Sequence, residues 1–326
     1  MKNYLSLIIC SLLLNSCSKD FISLSKSPND VFERFWKYGD ENYVYFQYKG
    51  IDWIKQKNMY ANKISPNITD DSLFNVCSSM LFELKDGHSY LNNGKIKSQY
   101  DYSTGYDVNF DFDLVKAKYL NNTFQTKGFY TYGIIQDTIG YMYYEKFSKG
   151  VFFEEVLQYL MGKNVKKLII DIRNNGGGDP VIAQNMVGYF VKDETSIGQI
   201  QHKKGKEHED FTDKITLKAI PKSIYFDKKV NILINRKSFS ASSYFAGMVN
   251  HLDKFQLIGQ ITGGGGGAAL SYELPNGWVV AMTSDFFLDV KNNQIENGVT
   301  PDIEIINSKD DINNKIDKML EKAIEN

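Results

Sequence analysis

The spacing of apolar residues changes along the chain, and each change marks a different kind of element. From Asp30 to Lys85 they recur at helical spacing: Val31, Phe32, Phe35 and Trp36 share one stripe, and Leu73, Phe74, Cys77, Met80 and Leu81 share another. Thr69-Asp70-Asp71 is a start signal for the second of these helices, which the pattern carries to Leu84. The aromatic segment between them, Tyr43 to Tyr60, reads as helix and loop. Beyond Asn92 the period falls to two, and Tyr106 to Phe112, Phe129 to Ile134 and Thr138 to Tyr144 are predicted as strands. The two periods then alternate. Phe152 to Met161 reads as a helix, LIIDIRNNGGGD (Leu168 to Asp179) as a buried strand running into a glycine turn, and Val181 to Val191 as a helix. Val230 to Ile234 follows as a strand, with a helix opening near Ser240 and another strand over Phe255 to Gln260. Such alternation predicts an α/β core with parallel strands. Ser271 to Met282 reads as a hairpin turning at Pro275-Asn276-Gly277, and Asp310 to Ile324 as a final surface helix with Ile312, Ile316, Leu320 and Ile324 on one face.

The first residues follow another logic. MKNYLSLIICSLLLNSC joins Lys2 to an apolar run from Leu5 to Leu14 that is too short to span a bilayer. Leu14-Asn15-Ser16-Cys17 resembles a bacterial lipobox, in which the cysteine is acylated and becomes the mature N-terminus. The expected organisation is a lipoprotein signal peptide (1–16), a Ser- and Lys-rich tether (17–27), a helical N-terminal domain (28–92), the main α/β domain (93–308) and a C-terminal helix (309–326). Export to a membrane anchor at Cys17 follows, at the outer membrane with a periplasmic or surface face. Cys10 leaves with the signal, so Cys77 is the one thiol of the folded part, and its helix-spaced apolar neighbours make it a small buried hydrophobe.

Over all 326 residues, the 42% hydrophobic and 14% aromatic content is enough for one large core or two modest ones. With 38 basic and 39 acidic residues, the net charge of -1 gives no general attraction for nucleic acid or anionic membrane. No His/Cys/Asp cluster has metal-ligand spacing, so neither a metal nor an organic cofactor is expected. The oligomeric state is not readable.

Candidate chemistry gathers in VNILINRKSFSASSYFAG, Val230 to Gly247. A hydroxyl at Ser240 would stand where a strand and tight turn give way to a helix, beside unpaired N–H groups and the positive end of the helix dipole. A serine at such a place is most often a helix cap, and the stretch alone does not choose among Ser238, Ser240, Ser242 and Ser243. Four histidines are available as a base. His202 and His208 lie in the charged QHKKGKEHED, read as a solvated loop. His251 lies on the same helix as Ser240, about 16 Å along its axis at the usual rise, out of reach. If Ser240 has a histidine base, it is His88, in LKDGHSYL after the Asp86-Gly87 turn. The NNGGG turn lacks phosphate-loop spacing. It reads as an ordinary turn or as a site whose glycine N–H groups face an oxyanion. The run Gly263 to Gly267 reads as a mobile loop, with a substrate-proximal lip as its functional reading.

Seven stretches in order, LKDGHSYL, TIGYMYYEKF, LIIDIRNNGGGD, INRKSFSASS, ITGGGGG, ELPNGW and ENGVTPD, resemble the S41 peptidase family, the carboxyl-terminal processing and tricorn-like serine proteases. The resemblance runs from about Val31 to Asp302. It implies a ClpP/crotonase-like α/β core with a helical N-terminal cap, and serine endopeptidase activity on extended peptides or unfolded proteins. Processing proteases of this kind place a lysine about 25 residues after the serine in a glycine-rich setting. Here that place falls in Gly263 to Gly267, with no lysine, so the Ser-His branch fits: Ser240 as nucleophile and His88 as base. The same resemblance implies Glu296 as the carboxylate near the histidine, and N–H groups of Ala241 and of Gly176 or Gly177 as oxyanion donors. Tricorn-like relatives carry a serine just before the histidine, where this chain has Gly87; Ser89 follows it. About fifty residues separate His88 from Ile139, too few for the PDZ domain many relatives insert there. The alternative reading is a catalytically inactive lipoprotein that keeps the fold and binds peptides or a hydrophobe, motivated by Gly87 and the glycine run.

Overall fold

The structure is a computed structural model and describes residues 25–148 and 152–326. The signal peptide and Cys17 lie outside the described residues. Seven strands form the central sheet in the spatial order Ile303–Glu304, Phe255–Gly259, Lys229–Ile234, Lys167–Asp171, Ile139–Tyr144, Tyr130–Ile135, Phe124–Lys127. The first five run parallel, and the last two return as an antiparallel meander. Alternation along each central strand feeds two cores. Leu168, Ile170, Ile232 and Leu257 face the helices Phe153–Gly162, Pro180–Val187 and Ala241–Val249, while Ile169, Leu233 and Ile258 face Met319, Leu320 and Ala323 of the final helix. Continuous apolar runs such as Leu168 to Ile170 are what a strand covered on both faces requires.

The N-terminal helices Pro28–Asn42, Trp53–Ala61 and Asp70–Phe82 start at side-chain caps, Ser27, Asp52 and Thr69. They do not close on themselves. Their apolar faces share a third core with Leu274, Trp278, Val280, Met282 and Phe286. The hairpin Ala269–Glu273 and Val279–Thr283 pairs with Tyr90–Asn92, which in turn pairs with Lys97–Gln99. The hairpin turns as expected, with Gly277 at φ 85°.

Four readings of the sequence are corrected. Tyr106 to Phe112 is irregular up to a helical turn at Phe112–Leu114: Phe110 packs onto the sheet face, but Tyr106 and Val108 are exposed and no strand pairs there. The final helix is broken into Lys309–Asn313 and Lys318–Glu325, because Lys315 takes a left-handed conformation (φ 61°) and Asp317 caps the second piece. The charged stretch around His202 is partly strand: Thr195–His202 pairs with Asp285–Leu288 and Ile215–Ala219. Gly263 to Gly267 is buried throughout and packed, with no space for a Cβ on Gly264 against the Glu296 carbonyl. It is no mobile lip.

One ion-pair network anchors the sheet end that carries the site. Arg173 is wholly buried, 2.6 Å from Asp171 and 2.8 Å from Asp317, with its guanidinium over Phe110. It joins the last residue of a central strand to the cap of the final helix. Removing one member of a buried pair leaves the others uncompensated, at about 3–5 kcal/mol. Arg173→Ala should therefore lower unfolding free energy by about 3 kcal/mol or more in urea titration, with Asp171 and Asp317 both stranded.

Candidate active site

Lys167–Asp171 and Lys229–Ile234 are adjacent and parallel, so the loops leaving their carboxyl ends meet. One is the glycine turn at Asn174 to Gly178, the other the turn from Asn235 to Ser240. They are bonded together: Phe239 N–H donates to the Asn175 carbonyl (3.1 Å), and the Ser242 hydroxyl to the same carbonyl (2.8 Å). Ser240 then takes φ 57°, ψ −122°, a strained conformation for a residue with a Cβ. Its N–H donates to the Gly264 carbonyl at 2.9 Å, and the Tyr244 N–H donates to the Ser240 carbonyl at 3.0 Å.

That geometry separates the four serines. The Ser238 hydroxyl donates to the Ile172 carbonyl, and those of Ser242 and Ser243 are likewise spent on buried partners. Ser240 makes no capping bond and is part-exposed. Its Oγ lies 3.1 Å from His88 Nε2.

His88 arrives from the other layer, on the turn before Tyr90–Asn92. Asp86 builds that turn: fully buried, it accepts the N–H groups of His88 (2.7 Å) and Ser89 (3.2 Å) and the hydroxyls of Ser89 (3.1 Å) and Thr283 (2.7 Å). Burial pushes the Asp86 carboxyl up, but the Lys49 and His88 charges and these bonds outweigh it and hold it below its usual range. Burial lowers the His88 imidazole, opposed by the nearby Asp86 and Asp285 carboxylates. The neutral imidazole that a general base requires is thereby favoured. Ser89 faces Asp86 and the Thr283 N–H, so it stands behind the turn rather than on the ring.

Glu296 makes no hydrogen bond to the His88 ring. His88 Nδ1 is buried with no hydrogen-bond partner. Glu296 instead pairs with Lys49 at 2.7 Å and accepts the Gly266 N–H at 3.0 Å, while Lys49 Nζ also donates to the Leu84 and Lys85 carbonyls. The carboxylate thus fastens the N-terminal helices and the glycine run behind the histidine. The Gly177 N–H is also taken, by Asn175 Oδ1 at 2.9 Å. Gly177 (φ 98°) serves by close approach, since a Cβ there would sit 2.7 Å from Ser240 Cβ and 2.9 Å from the Ala241 nitrogen. The N–H groups of Gly176 and Ala241 have no hydrogen-bond acceptor among the described residues.

Of the other histidines, His251 Nε2 lies 3.2 Å from the Ser196 carbonyl, and His208 lies against Asp40 and Phe46. His202 Nδ1 lies 3.5 Å from Asp285, whose carboxyl burial raises. Sequence reasoning passed over Lys49 and Asp285 and read Asp86 only as part of a turn. Asp86 alone left a signal, a turn-forming Asp two positions before the histidine. Among the described residues no group of three or more His, Cys, Asp or Glu is placed to hold a metal ion.

Residues 138–305, about half of the chain, match the profile of peptidase family S41. The chain belongs to that family. Residues 25–82 match the tricorn protease C1 domain, the helical part described above. A crystal structure of a candidate peptidase from Parabacteroides merdae ATCC 43184 is 34% identical, covers 92% of this chain and 96% of its own, and superposes with a TM-score of 0.87. Mature CPAF, at 12% identity and a TM-score of 0.71 over 92% of this chain and 96% of its own, shares the fold. Among curated proteins, the carboxy-terminal processing protease CtpB of Bacillus subtilis (strain 168) is 26% identical over 52% of this chain and 34% of its own length. A Staphylococcus saprophyticus protein named Probable CtpA-like serine protease is 30% identical over 43% and 28%. The chain thus spans about a third of the length of these curated S41 relatives.

The Lys49–Glu296 pair gives a test with a sign. Burial first, and the Asp86 charge second, push the Glu296 carboxyl up to about 7, well above the ordinary glutamate range, while Lys49 draws it down. A carboxyl raised in the fold adds stability that is full below its unfolded value and is lost as pH rises through about 7. Without Lys49 the ionised form is stranded. Lys49→Met should lose about 3 kcal/mol at pH 8 and clearly less at pH 5, where Glu296 holds its proton; urea melts at the two pH values read the difference.

Proposed function

We propose that the chain is a serine endopeptidase that cleaves extended peptides or unfolded protein segments through an acyl-enzyme, with Ser240 as nucleophile and His88 as base. The observation that carries the reading is the 3.1 Å contact between Ser240 Oγ and His88 Nε2. It joins residues 152 positions apart at a strained turn, beside a helix N-terminus. Nε2 accepts the hydroxyl proton as Oγ bonds to the scissile carbonyl carbon. The carbonyl π electrons move to oxygen, and the oxyanion is received by the Ala241 N–H and the Gly176 N–H. Collapse breaks the C–N bond and expels the amine, which takes the proton from His88. Water, deprotonated by the same imidazole, then adds to the acyl carbon, and the acid is released as the Ser240 Oγ leaves and takes that proton.

Asp86 and Asp285 supply negative charge near the imidazolium without bonding Nδ1. Glu296 serves as a structural clamp. An edge strand for the substrate is at hand in Lys97–Gln99, whose Gln99 side chain donates to the Gly87 carbonyl beside His88. The packed glycine run and the Ser240–His88 contact count against a purely binding role.

Ser240→Ala should abolish labelling by a fluorophosphonate, and His88→Ala should lower peptide hydrolysis by about 10²–10⁴-fold. Because burial lowers the His88 pKa, the acid limb of kcat/KM should have its midpoint below the ordinary 6.5 of histidine. Equal labelling of Ser240→Ala would sink the assignment.

We also propose that Cys17 carries the lipid that anchors the enzyme at the outer membrane, on the strength of Leu14-Asn15-Ser16-Cys17 and the apolar run before it. Radiolabelled palmitate should enter the wild type and not Cys17→Ala.

A further inference from the structure

The imidazole of His88 has one hydrogen bond, to Ser240, and its Nδ1 is buried without a partner. A ring held at one nitrogen is free to turn unless something else fixes its plane. Packing supplies that constraint. Phe239, 6% exposed and immediately before Ser240, lies against the imidazole with centroids 4.7 Å apart. Tyr102 lies on Phe239, centroids 3.7 Å apart and planes 8° from parallel. Tyr102 and Phe239 stack face to face, and the imidazole leans on Phe239 at 43° to its plane.

The surroundings are cut to fit it. A Cβ on Gly87 would lie 2.8 Å from Phe239 Cζ and 2.8 Å from Tyr102 Cδ1, and one on Gly263 would meet Tyr102 at 2.8 Å. On the glycine-run side, a Cβ on Gly265 would come within 2.9 Å of His88 Cε1. The strap bearing Tyr102 is itself fixed. Arg236 Nε donates to the Tyr102 carbonyl at 2.9 Å, its guanidinium lies 4.8 Å from the Tyr106 ring, and Asp101 accepts the Ser103 N–H at 2.8 Å.

We propose that Tyr102 is a positioning residue: stacked on Phe239, it holds the His88 imidazole toward Ser240, doing by packing what an acceptor at Nδ1 does elsewhere. Gly87 is the space the rings occupy. The inference rests on the Ser-His reading above. The charged and titratable groups around the imidazole, Asp86, Asp285, Lys97 and Lys49, are untouched by changes at Tyr102.

The test compares wild type, Tyr102→Leu, Tyr102→Phe and Gly87→Ser. Fluorophosphonate labelling gives the maximal rate kinact, the half-saturation constant KI and the pH dependence; NMR titration follows the His88 Cε1 proton. Misplacing a base by about 1 Å costs about 10²-fold. Tyr102→Leu should lower kinact by about ten- to a hundredfold with KI little changed. Its acid limb and its His88 titration should move up toward the ordinary histidine value, since the ring gains water. Tyr102→Phe keeps the stack and should restore the wild-type rate. Gly87→Ser should slow labelling by displacing the rings. Tyr102→Leu with wild-type kinact and pH profile overturns the inference, as does Gly87→Ser labelled as fast as wild type. A wild type that is never labelled overturns the nucleophile reading instead, and the His88 titration of Tyr102→Leu still decides the stack.

Discussion

The backbone of Ser240 is the constraint on which the rest of the structure depends. A side-chain-bearing residue at φ 57°, ψ −122° is disfavoured by about 1–3 kcal/mol, and it persists only because its surroundings leave no alternative. The turn is bonded on one side to the glycine turn of the neighbouring strand through Asn175, and on the other to the buried glycine run through Gly264. Both neighbours must come within van der Waals contact of the main chain, which explains why both are glycine-rich. The strained turn points the hydroxyl away from capping and toward the opposing layer.

That layer is held by charge. Asp86 folds the histidine turn onto the Val279–Thr283 strand, and Lys49 ties the helices to Glu296 and the glycine run. The two halves of the site therefore come from separate cores, one built on the parallel sheet and one on the N-terminal helices and the hairpin. Because both anchors are buried, the histidine is presented by rigid parts on every side, including the aromatic stack.

Much of this was legible in the sequence where local periodicity and tertiary burial agree. The parallel strands, the helices from Phe153 to Val249, the Asn276-Gly277 hairpin and the Thr69 cap all read directly, because their patterns are set by the faces they bury. The failures have physical causes. Tyr106 to Phe112 alternates like a strand, yet Tyr106 and Val108 are exposed and only Phe110 and Phe112 reach a core, so the pattern does not report a buried face. The glycine run looks mobile because glycine carries no sign of what presses against it. Glu296 stands at the motif position expected for the histidine's carboxylate, yet its partner is Lys49, and nothing in a linear pattern links positions 247 apart. The Asp86 turn is readable from its Asp-Gly pair, though the carboxylate's hold on His88 and Thr283 is not; Tyr102 could not be read, since a stacked ring in a loop has no local signature.

The span of the Lys49–Glu296 bond has a temporal consequence. The chain is made from its N-terminus, so Lys49 and His88 exist long before Ser240, and Ser240 before Glu296. The Lys49 side and the glycine run have no common anchor until Glu296 has been made. Contacts of such sequence separation form late, because loop closure precedes the gain from the contact. A chain that has not yet reached Glu296 therefore lacks the clamp that holds the histidine layer against the Ser240 turn.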